Sequence, residues 1–186
     1  MRLFVALEIP PNVRNHLADL INELSGVAPQ LKWVRPHNLH VTLKFIGHAP
    51  AEKLDAMRTA LSAIRTDGAI EMRFRGLGFF PSEKRPRVFW AGLEAPPNLA
   101  RLAAHIDAAL ESLGFPREER AFSPHLTLAR IDEGRMPVEL RSSIRNKMKD
   151  EFGLVRTNQF HLMESKLHRS GAEYSTVASF SFFPHA

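Results

Sequence analysis

Apolar residues recur along this chain with two spacings, one typical of strands and one typical of helices. Alternation of apolar and polar positions, as from Leu39 to Phe45, predicts a strand with one buried face. Spacings of three and four, as from Val13 to Leu24, predict an amphipathic helix. We predict strands over residues 2–8, 39–45, 70–74, 87–93, 124–131, 159–167 and 174–182, and helices over 13–24, 51–64, 98–113 and 138–152.

The order of these elements indicates an α+β fold. Strands that read as hairpin pairs lie between the helices, which favours antiparallel sheets backed by helices over a doubly wound parallel sheet. Proline and glycine are spread evenly, and no Gly/Ser-rich linker marks a boundary, so we expect one domain over residues 1–186. Neither GxGxxG nor GxxxxGK[ST] occurs, so the sequence has no glycine-rich phosphate loop.

One short pattern occurs twice. His40-Val41-Thr42-Leu43 and His125-Leu126-Thr127-Leu128 share the form His-apolar-Thr-Leu at an offset of 85 residues. Random placement of this composition predicts ~0.03 such strings, so chance is a poor explanation. The offset, close to half of the chain, predicts two copies of one structural unit related by an approximate twofold axis.

Strand geometry places the polar residues of each tetrad on one face. Residues i and i+2 point the same way about 6.6–7 Å apart, so His40 lies beside Thr42 and His125 beside Thr127. If both strands face one groove, a neutral imidazole can take a proton from an attacking water while a charged one protonates a leaving oxygen. Threonine hydroxyls can donate to the oxygens of a phosphate in that groove. The scheme requires no metal and no cofactor.

Composition limits the other possibilities. Cysteine is absent, which excludes disulfides, thiolate metal sites and cysteine nucleophiles. The formal net charge is +5, and residues 1–93 hold 13 basic against 8 acidic side chains whereas residues 94–186 hold 12 of each, so the surplus lies in the first half. A mild positive excess suits an anionic ligand. Glu8 and Pro10 interrupt the apolar start, which is too short for a signal peptide, so we expect a soluble cytoplasmic monomer without a membrane partner.

The two tetrads and the Leu-Phe-Val-Ala-Leu opening resemble the 2H phosphoesterase superfamily. Within it, the sequence is most similar to the RNA 2′,3′-cyclic phosphodiesterase family, also called the 2′-5′ RNA ligase family. The resemblance runs from Arg2 through Lys44-Phe45-Ile46-Gly47 and Pro86-Arg87-Val88 to the last strand.

This resemblance implies a bilobal fold, with two antiparallel sheets lining a central cleft, helices outside and one motif in each lobe. It implies metal-independent opening of RNA 2′,3′-cyclic phosphate ends to 2′-phosphomonoesters, and also reversible 2′-5′ RNA joining. By the same resemblance His40 donates a proton to the leaving 3′ oxygen, His125 activates water, and Thr42 and Thr127 hold the phosphate. From sequence symmetry alone the two histidines are interchangeable.

The strand register decides on which face two charged residues near the tetrads lie. Arg130 is a candidate for binding the phosphate, but strict alternation puts it on the face opposite His125 unless the strand ends or bulges after Ala129. Lys44 shares the parity of His40 and Thr42 and is expected on their face, where solvent exposure explains a lysine equally well.

Aromatic and basic side chains supply candidates for nucleotide contacts. Trp33, between Lys32 and Arg35, is a candidate for stacking on a terminal base, and Tyr174 is another. For Phe4 core packing is the favoured role. The basic residues that could follow an RNA backbone, or simply remain solvated, are Arg73, Arg75, Lys84, Arg85 and Arg87.

Three alternatives stay open. A zinc site would compete for paired histidines, but neither tetrad supplies HExxH, cysteine or a carboxylate at ligand spacing. A related enzyme of the same superfamily could act on a small cyclic nucleotide or a 2′-5′ oligonucleotide. A non-catalytic module that binds RNA ends could also retain the cleft. The other seven histidines, including His185, carry no comparable pattern.

Overall fold

The computed structural model describes residues 1–182, and His185 lies outside them. In this part of the chain the structure has nine strands and four α-helices. The strands are β1 (Arg2–Glu8), β2 (Lys32–Trp33), β3 (His40–His48), β4 (Ile70–Phe80), β5 (Val88–Glu94), β6 (His125–Arg130), β7 (Glu151–Thr157), β8 (Gln159–His168) and β9 (Gly171–Ser181). The helices are α1 (Pro11–Val27), α2 (Leu54–Ser62), α3 (Pro97–Glu111) and α4 (Val138–Ile144).

The strands form two antiparallel sheets. Sheet 1 has the order β3-β1-β8-β9 and sheet 2 the order β2-β6-β5-β4-β7. The strand with the first tetrad, β3, pairs with β1, and the strand with the second, β6, pairs with β5. The predicted α+β class with two antiparallel sheets is confirmed.

Helices α1 and α3 each pack against the sheet that does not contain the strand before them. Helix α1 follows β1 of sheet 1 but packs against β7 of sheet 2, whereas α3 follows β5 of sheet 2 but packs against β3 of sheet 1. Helices α1 and α3 bury the stripes that their three-and-four spacing predicts; in α3 the buried residues include Leu99, Leu102 and Ile106. One hydrophobic cluster extends through both sheets and their helices, so the two halves are joined by packing as well as by the chain.

One predicted helix is wrong over half of its length. Helix α4 ends at Ile144, and Glu151–Thr157 is strand β7, which adds to the edge of sheet 2 by pairing with β4. The alternation along β7 is weak, because Phe152 and Val155 are buried while Leu154 is 64% exposed. The hydrogen bonds that select a strand here come from β4, far away in sequence, which local periodicity does not register.

Strand β3 and strand β6 share the same irregularity. In β3 the pairing with β1 slips so that Thr42 opposes Ala6 and Lys44 opposes Val5, which leaves Leu43 as an extra residue. In β6 Thr127 opposes Trp90 and Ala129 opposes Phe89, which leaves Leu128 extra. The leucine of each tetrad is therefore a β-bulge, and it reverses the face on which the following residues lie.

Candidate active site

The two tetrad strands lie against each other although they belong to different sheets. His40 and His125 are half-buried, and they are close enough for charge on His125 to lower the pKa of His40. We call the side of each sheet that carries its tetrad histidine the cleft face. On sheet 1 it includes His40 and Thr42, and on sheet 2 it includes His125 and Thr127.

Each histidine is oriented by the backbone two residues before it. Nδ1 of His40 lies 2.6 Å from the carbonyl oxygen of Asn38, and Nδ1 of His125 lies 2.8 Å from that of Ser123. A carbonyl only accepts hydrogen bonds, so Nδ1 carries the proton in both rings and Nε2 is the atom that can gain or lose one. Both sites therefore present the same nitrogen to a ligand.

His40 occupies the more enclosed environment. Burial lowers the pKa of His40 most, the hydrogen bond to the Asn38 carbonyl raises it, and the charge of His125 lowers it further. Its Nε2 lies 2.9 Å from Oγ1 of Thr42, which in the neutral state donates its hydroxyl proton to that nitrogen. Thr127 makes no such bond to His125 in residues 1–182.

Aromatic rings support both imidazoles from the side. The ring of His40 lies 4.8 Å from that of Phe4 and 5.3 Å from that of Tyr174. The ring of His125 lies 4.8 Å from that of Phe80 in an edge-on arrangement. Phe80 was not a sequence candidate, because it stands 45 residues before His125 and no pattern connects them.

The bulges decide where the flanking residues point. After Leu128 and Ala129, both buried, Arg130 returns to the cleft face beside Val88, as the conditional prediction required, although the bulge comes one residue earlier than expected. Its guanidinium is exposed and has no partner among the described residues. At the equivalent place on β3, Phe45 is 65% exposed.

The expectation for Lys44 is wrong. The bulge at Leu43 turns Lys44 to the helix side, where it is 7% exposed. Its Nζ donates to the carboxylate of Asp107 on α3 and, over 2.8 Å, to the carbonyl of Pro116. Lys44 therefore connects β3 to the segment that leads towards His125.

Trp33 lies away from the other candidates. It pairs with Ala129, on the buried face of sheet 2, and its ring packs edge-on against Phe89 at 6.0 Å. Its indole N–H donates to the carbonyl of Ala28 over 2.8 Å. The structure thus brings His40, Thr42, His125, Thr127 and Arg130 to the cleft face and leaves Trp33 outside that group.

A cavity beside sheet 2 is separate from this cluster. It has a volume of about 520 Å³ and is lined by residues such as Glu71, Arg73 and Leu154, none of them from a tetrad. Within residues 1–182 no group of three or more His, Asp or Glu side chains is arranged to hold a metal ion. No helix in that part of the chain is long and apolar enough to cross a membrane.

Known proteins are similar to this chain in sequence and in fold. The family described as LigT like Phosphoesterase matches residues 7–90 and 93–174, so one match contains the His40 tetrad and the other the His125 tetrad. A protein of Archaeoglobus fulgidus named RNA 2′,3′-cyclic phosphodiesterase is 36% identical over 180 residues, with 97% of this chain and 99% of that protein covered. A protein of the same name from Thermus thermophilus is 36% identical, with 97% and 90% covered.

Solved structures give the same result for the fold. A crystal structure of a Thermus thermophilus protein superposes with a TM-score of 0.80 at 32% identity and covers 98% of each chain. Escherichia coli LigT complexed with 3′-AMP also superposes with a TM-score of 0.80, at 24% identity and with 98% of each chain covered, which supports the fold alone. The sequence, the two sheets and these relatives together show that the chain belongs to the LigT-like family of 2H phosphoesterases.

Proposed function

We propose that this phosphoesterase opens 2′,3′-cyclic phosphate ends of RNA to 2′-phosphomonoesters, by acid-base catalysis with two histidines and without a metal. The proposal depends chiefly on one observation: two imidazoles from matched motifs lie on a common cleft, each with Nδ1 bound to a backbone carbonyl, so that Nε2 is the nitrogen that exchanges a proton. A pair of proton-transfer groups on opposite sides of a phosphorus atom is what in-line displacement requires.

In this mechanism the two histidines take opposite roles. Nε2 of His125 removes a proton from water as the water oxygen bonds to phosphorus. As the bond from phosphorus to the 3′ oxygen breaks, Nε2 of His40 gives its proton to that oxygen. The products are a 2′-phosphomonoester and a 3′-hydroxyl, and each proton transfer contributes about 10²–10⁴-fold in rate. With a ribose 5′-hydroxyl group in place of water, the same attack on the cyclic phosphate forms a 2′-5′ linkage and releases the 3′ oxygen, which takes its proton from His40.

The remaining polar groups of the cleft bind the phosphate. The hydroxyls of Thr42 and Thr127 donate to its non-bridging oxygens, which keep their negative charge through the transition state. Arg130, without a partner among the described residues, supplies a positive charge and two parallel N–H donors. Trp33 has no part in this scheme, because its indole N–H and ring are engaged on the other side of sheet 2.

The environment of His40 has a consequence for its role as the acid. Burial lowers the pKa of His40 in the free protein, so an empty cleft favours its neutral form. A cyclic phosphodiester carries one negative charge, which favours the imidazolium beside it. Substrate binding therefore helps to supply the proton that the leaving oxygen receives.

Relatives support the choice of substrate. The proteins from Archaeoglobus fulgidus and Thermus thermophilus, both 36% identical, are named for RNA 2′,3′-cyclic phosphodiesterase activity. Escherichia coli LigT, which has the same fold, has been crystallised with 3′-AMP. A nucleotide phosphate is therefore a ligand class that this fold accommodates.

Hydrolysis in EDTA tests the proposal. A cyclic-phosphate-ended RNA oligomer and a nucleoside 2′,3′-cyclic phosphate are compared as substrates, and the product is identified as the 2′- or 3′-phosphate. We expect a 2′-phosphate, formed at the same rate with or without the chelator. Loss of activity that zinc restores would favour a metal site, a strong preference for the mononucleotide would favour a small-molecule enzyme, and hydrolysis of neither would favour a binding module.

A further inference from the structure

The β8–β9 hairpin continues past the edge of sheet 1. Its pairing with β1 ends at Glu164, which opposes Leu3. Beyond that point β8 pairs with β9 alone, through Ser165 opposite Tyr174 and on to His168 opposite Gly171. We call residues 165–174 the hairpin arm. An isolated two-stranded hairpin is marginally stable in water, so the position of the arm depends on what anchors it.

Contacts of Asn38, Arg35 and Tyr174 anchor the hairpin arm beside the first tetrad. Nδ2 of Asn38 donates to the carbonyl of Ala172 over 2.8 Å, and the guanidinium of Arg35 donates to the carbonyl of Ser170. The ring of Tyr174 packs 5.0 Å from that of Phe4, and it also lies edge-on to His40. The arm is otherwise largely exposed; its Leu167 is 68% exposed.

Asn38 forms hydrogen bonds with both the hairpin arm and His40. It is 6% exposed, which is unusual for asparagine. Its side-chain amide holds the arm at Ala172, while its backbone carbonyl accepts the Nδ1 proton of His40 at 2.6 Å. A displacement of the arm therefore acts on the carbonyl that orients the imidazole and on the Tyr174 ring that lies against it.

The second tetrad lacks this arrangement. Ser123, which stands at the equivalent place, is exposed, and its side chain has no hydrogen bond to a described residue. Phe80, the ring that supports His125, lies on β4 opposite Val88 of β5, and Val88 in turn pairs with Arg130 of β6. Sheet pairing therefore supports the strand that carries Phe80, whereas the strand segment that carries Tyr174 depends on the anchors of the arm.

We propose that Asn38 is a positioning residue: its side-chain amide holds the hairpin arm so that Tyr174 and the Asn38 carbonyl keep His40 in the orientation that presents Nε2 to the leaving oxygen. This inference rests on the proposed role of His40. A misplacement of about 1 Å at a reacting group can lower the rate by about 10²-fold, so a buried amide outside the cleft can affect turnover strongly.

Asn38→Ala is compared with Asn98→Ala in steady-state hydrolysis. Asn98, in the first turn of α3, donates Nδ2 to the carbonyl of Ala69 over 3.3 Å, so its variant removes the same kind of bond far from the cleft. We expect Asn38→Ala to lower kcat at least about 10-fold with KM changed less than about 3-fold, because the substrate-binding groups remain. We expect Asn98→Ala to keep kcat.

A second readout follows the imidazole without substrate. Nitrogen-15 NMR distinguishes the two neutral tautomers of histidine, and we expect His40 of the wild type to hold its proton on Nδ1. In Asn38→Ala we expect a mixture of tautomers, with His125 unchanged. Because this measurement needs no turnover, it tests Asn38 even if the protein fails to hydrolyse cyclic phosphates, which would count against the proposed function instead.

A third variant tests the inference if Asn38→Ala fails to fold. Asn38→Asp has nearly the same volume but cannot donate to the Ala172 carbonyl when ionised, so it should reproduce both effects. A kcat within about 2-fold of the wild type, an unchanged His40 tautomer, or an equal loss of kcat in Asn98→Ala would each overturn the inference.

Discussion

Strands β3 and β6 carry the same tetrad in two different surroundings. Both begin at the histidine, both bulge at the leucine, and both hold Nδ1 of the histidine to a carbonyl two residues back. They differ at the next two positions, where Lys44 and Phe45 of β3 correspond to Ala129 and Arg130 of β6. Features that present an imidazole and a hydroxyl to the cleft occur in both halves, whereas the flanking residues differ.

The difference gives the two halves unlike side chains on the cleft face. On β6 the residue that returns to the cleft face is the exposed cation Arg130, and on β3 it is the exposed aromatic Phe45. A cation at this position on β6 and an aromatic ring at the matching position on β3 make the two positions electrostatically different. Under the proposed mechanism, this difference favours one direction of phosphodiester binding, as one acid and one base require.

We expect both histidines to be necessary for turnover, one as the acid and the other as the base. We expect His40→Ala and His125→Ala each to lower kcat at least about 10²-fold, because each removes one proton transfer. A substrate with sulfur at the bridging 3′ position has a leaving group that needs no protonation. On that substrate the deficit of His40→Ala should shrink while that of His125→Ala persists.

Rates of product release with the two substrates measure this, and His48→Ala, exposed at the far end of β3, is the matched control. If the sulfur substrate instead rescued His125→Ala, the acid and the base would have to be exchanged. If either histidine variant kept the full rate, that residue would have no part in the chemistry.

Lys44 on β3 forms an ion pair with Asp107, whereas the matching residue on β6 is Ala129, which has no charge. We expect Lys44→Ala to lower the free energy of unfolding by about 3 kcal/mol, because it removes the buried cation from the half-buried carboxylate of Asp107 and leaves that carboxylate only the exposed Arg117 as an ionic partner. Urea denaturation followed by circular dichroism measures the change. The double variant Lys44→Met with Asp107→Leu should recover most of the loss, and a double variant as unstable as Lys44→Ala would contradict this explanation.

Arg130 and Phe45 test the asymmetry of the cleft directly. We expect Arg130→Ala to raise KM about 10–100-fold, since a hydrogen bond to a charged group contributes about 1.5–3 kcal/mol. The dependence of KM on salt should also weaken, because one cation no longer contacts a phosphate. In Phe45→Ala the salt dependence should stay as in the wild type. An Arg130→Ala enzyme with unchanged KM and salt dependence would remove Arg130 from the phosphate site.

The smallest effect concerns the pH profile. Because the pKa of His40 is lowered, we expect one limb of the kcat/KM profile to lie below the ordinary histidine value of about 6.5. In the kcat profile the same limb should lie at higher pH, because the bound phosphodiester anion favours the protonated form. Both profiles should be bell-shaped, and their limbs belong to the coupled pair of histidines. Limbs at the same pH in both profiles would show that substrate does not act on this titration.

Local sequence was informative wherever one spacing dominated a segment. The strands around both tetrads and the long helices α1 and α3 follow from alternation and from three-and-four spacing. The prediction failed at β7, whose strand conformation comes from pairing with β4. Phe80 and Asn38 escaped sequence reasoning for the same reason, since their importance lies in contacts with residues remote in the chain.

The sequence by itself determined which chemistry is available, because a duplicated His-apolar-Thr-Leu tetrad, the absence of cysteine and the resemblance to one enzyme family needed no coordinates. Tertiary structure decided which flanking residues join that chemistry. A bulge of one residue in each tetrad strand sent Arg130 to the cleft and Lys44 to the core, and strict alternation predicts the reverse for both. Strand parity is local, but a bulge depends on how two strands pair, so only the folded chain settles which side chains lie on the cleft face.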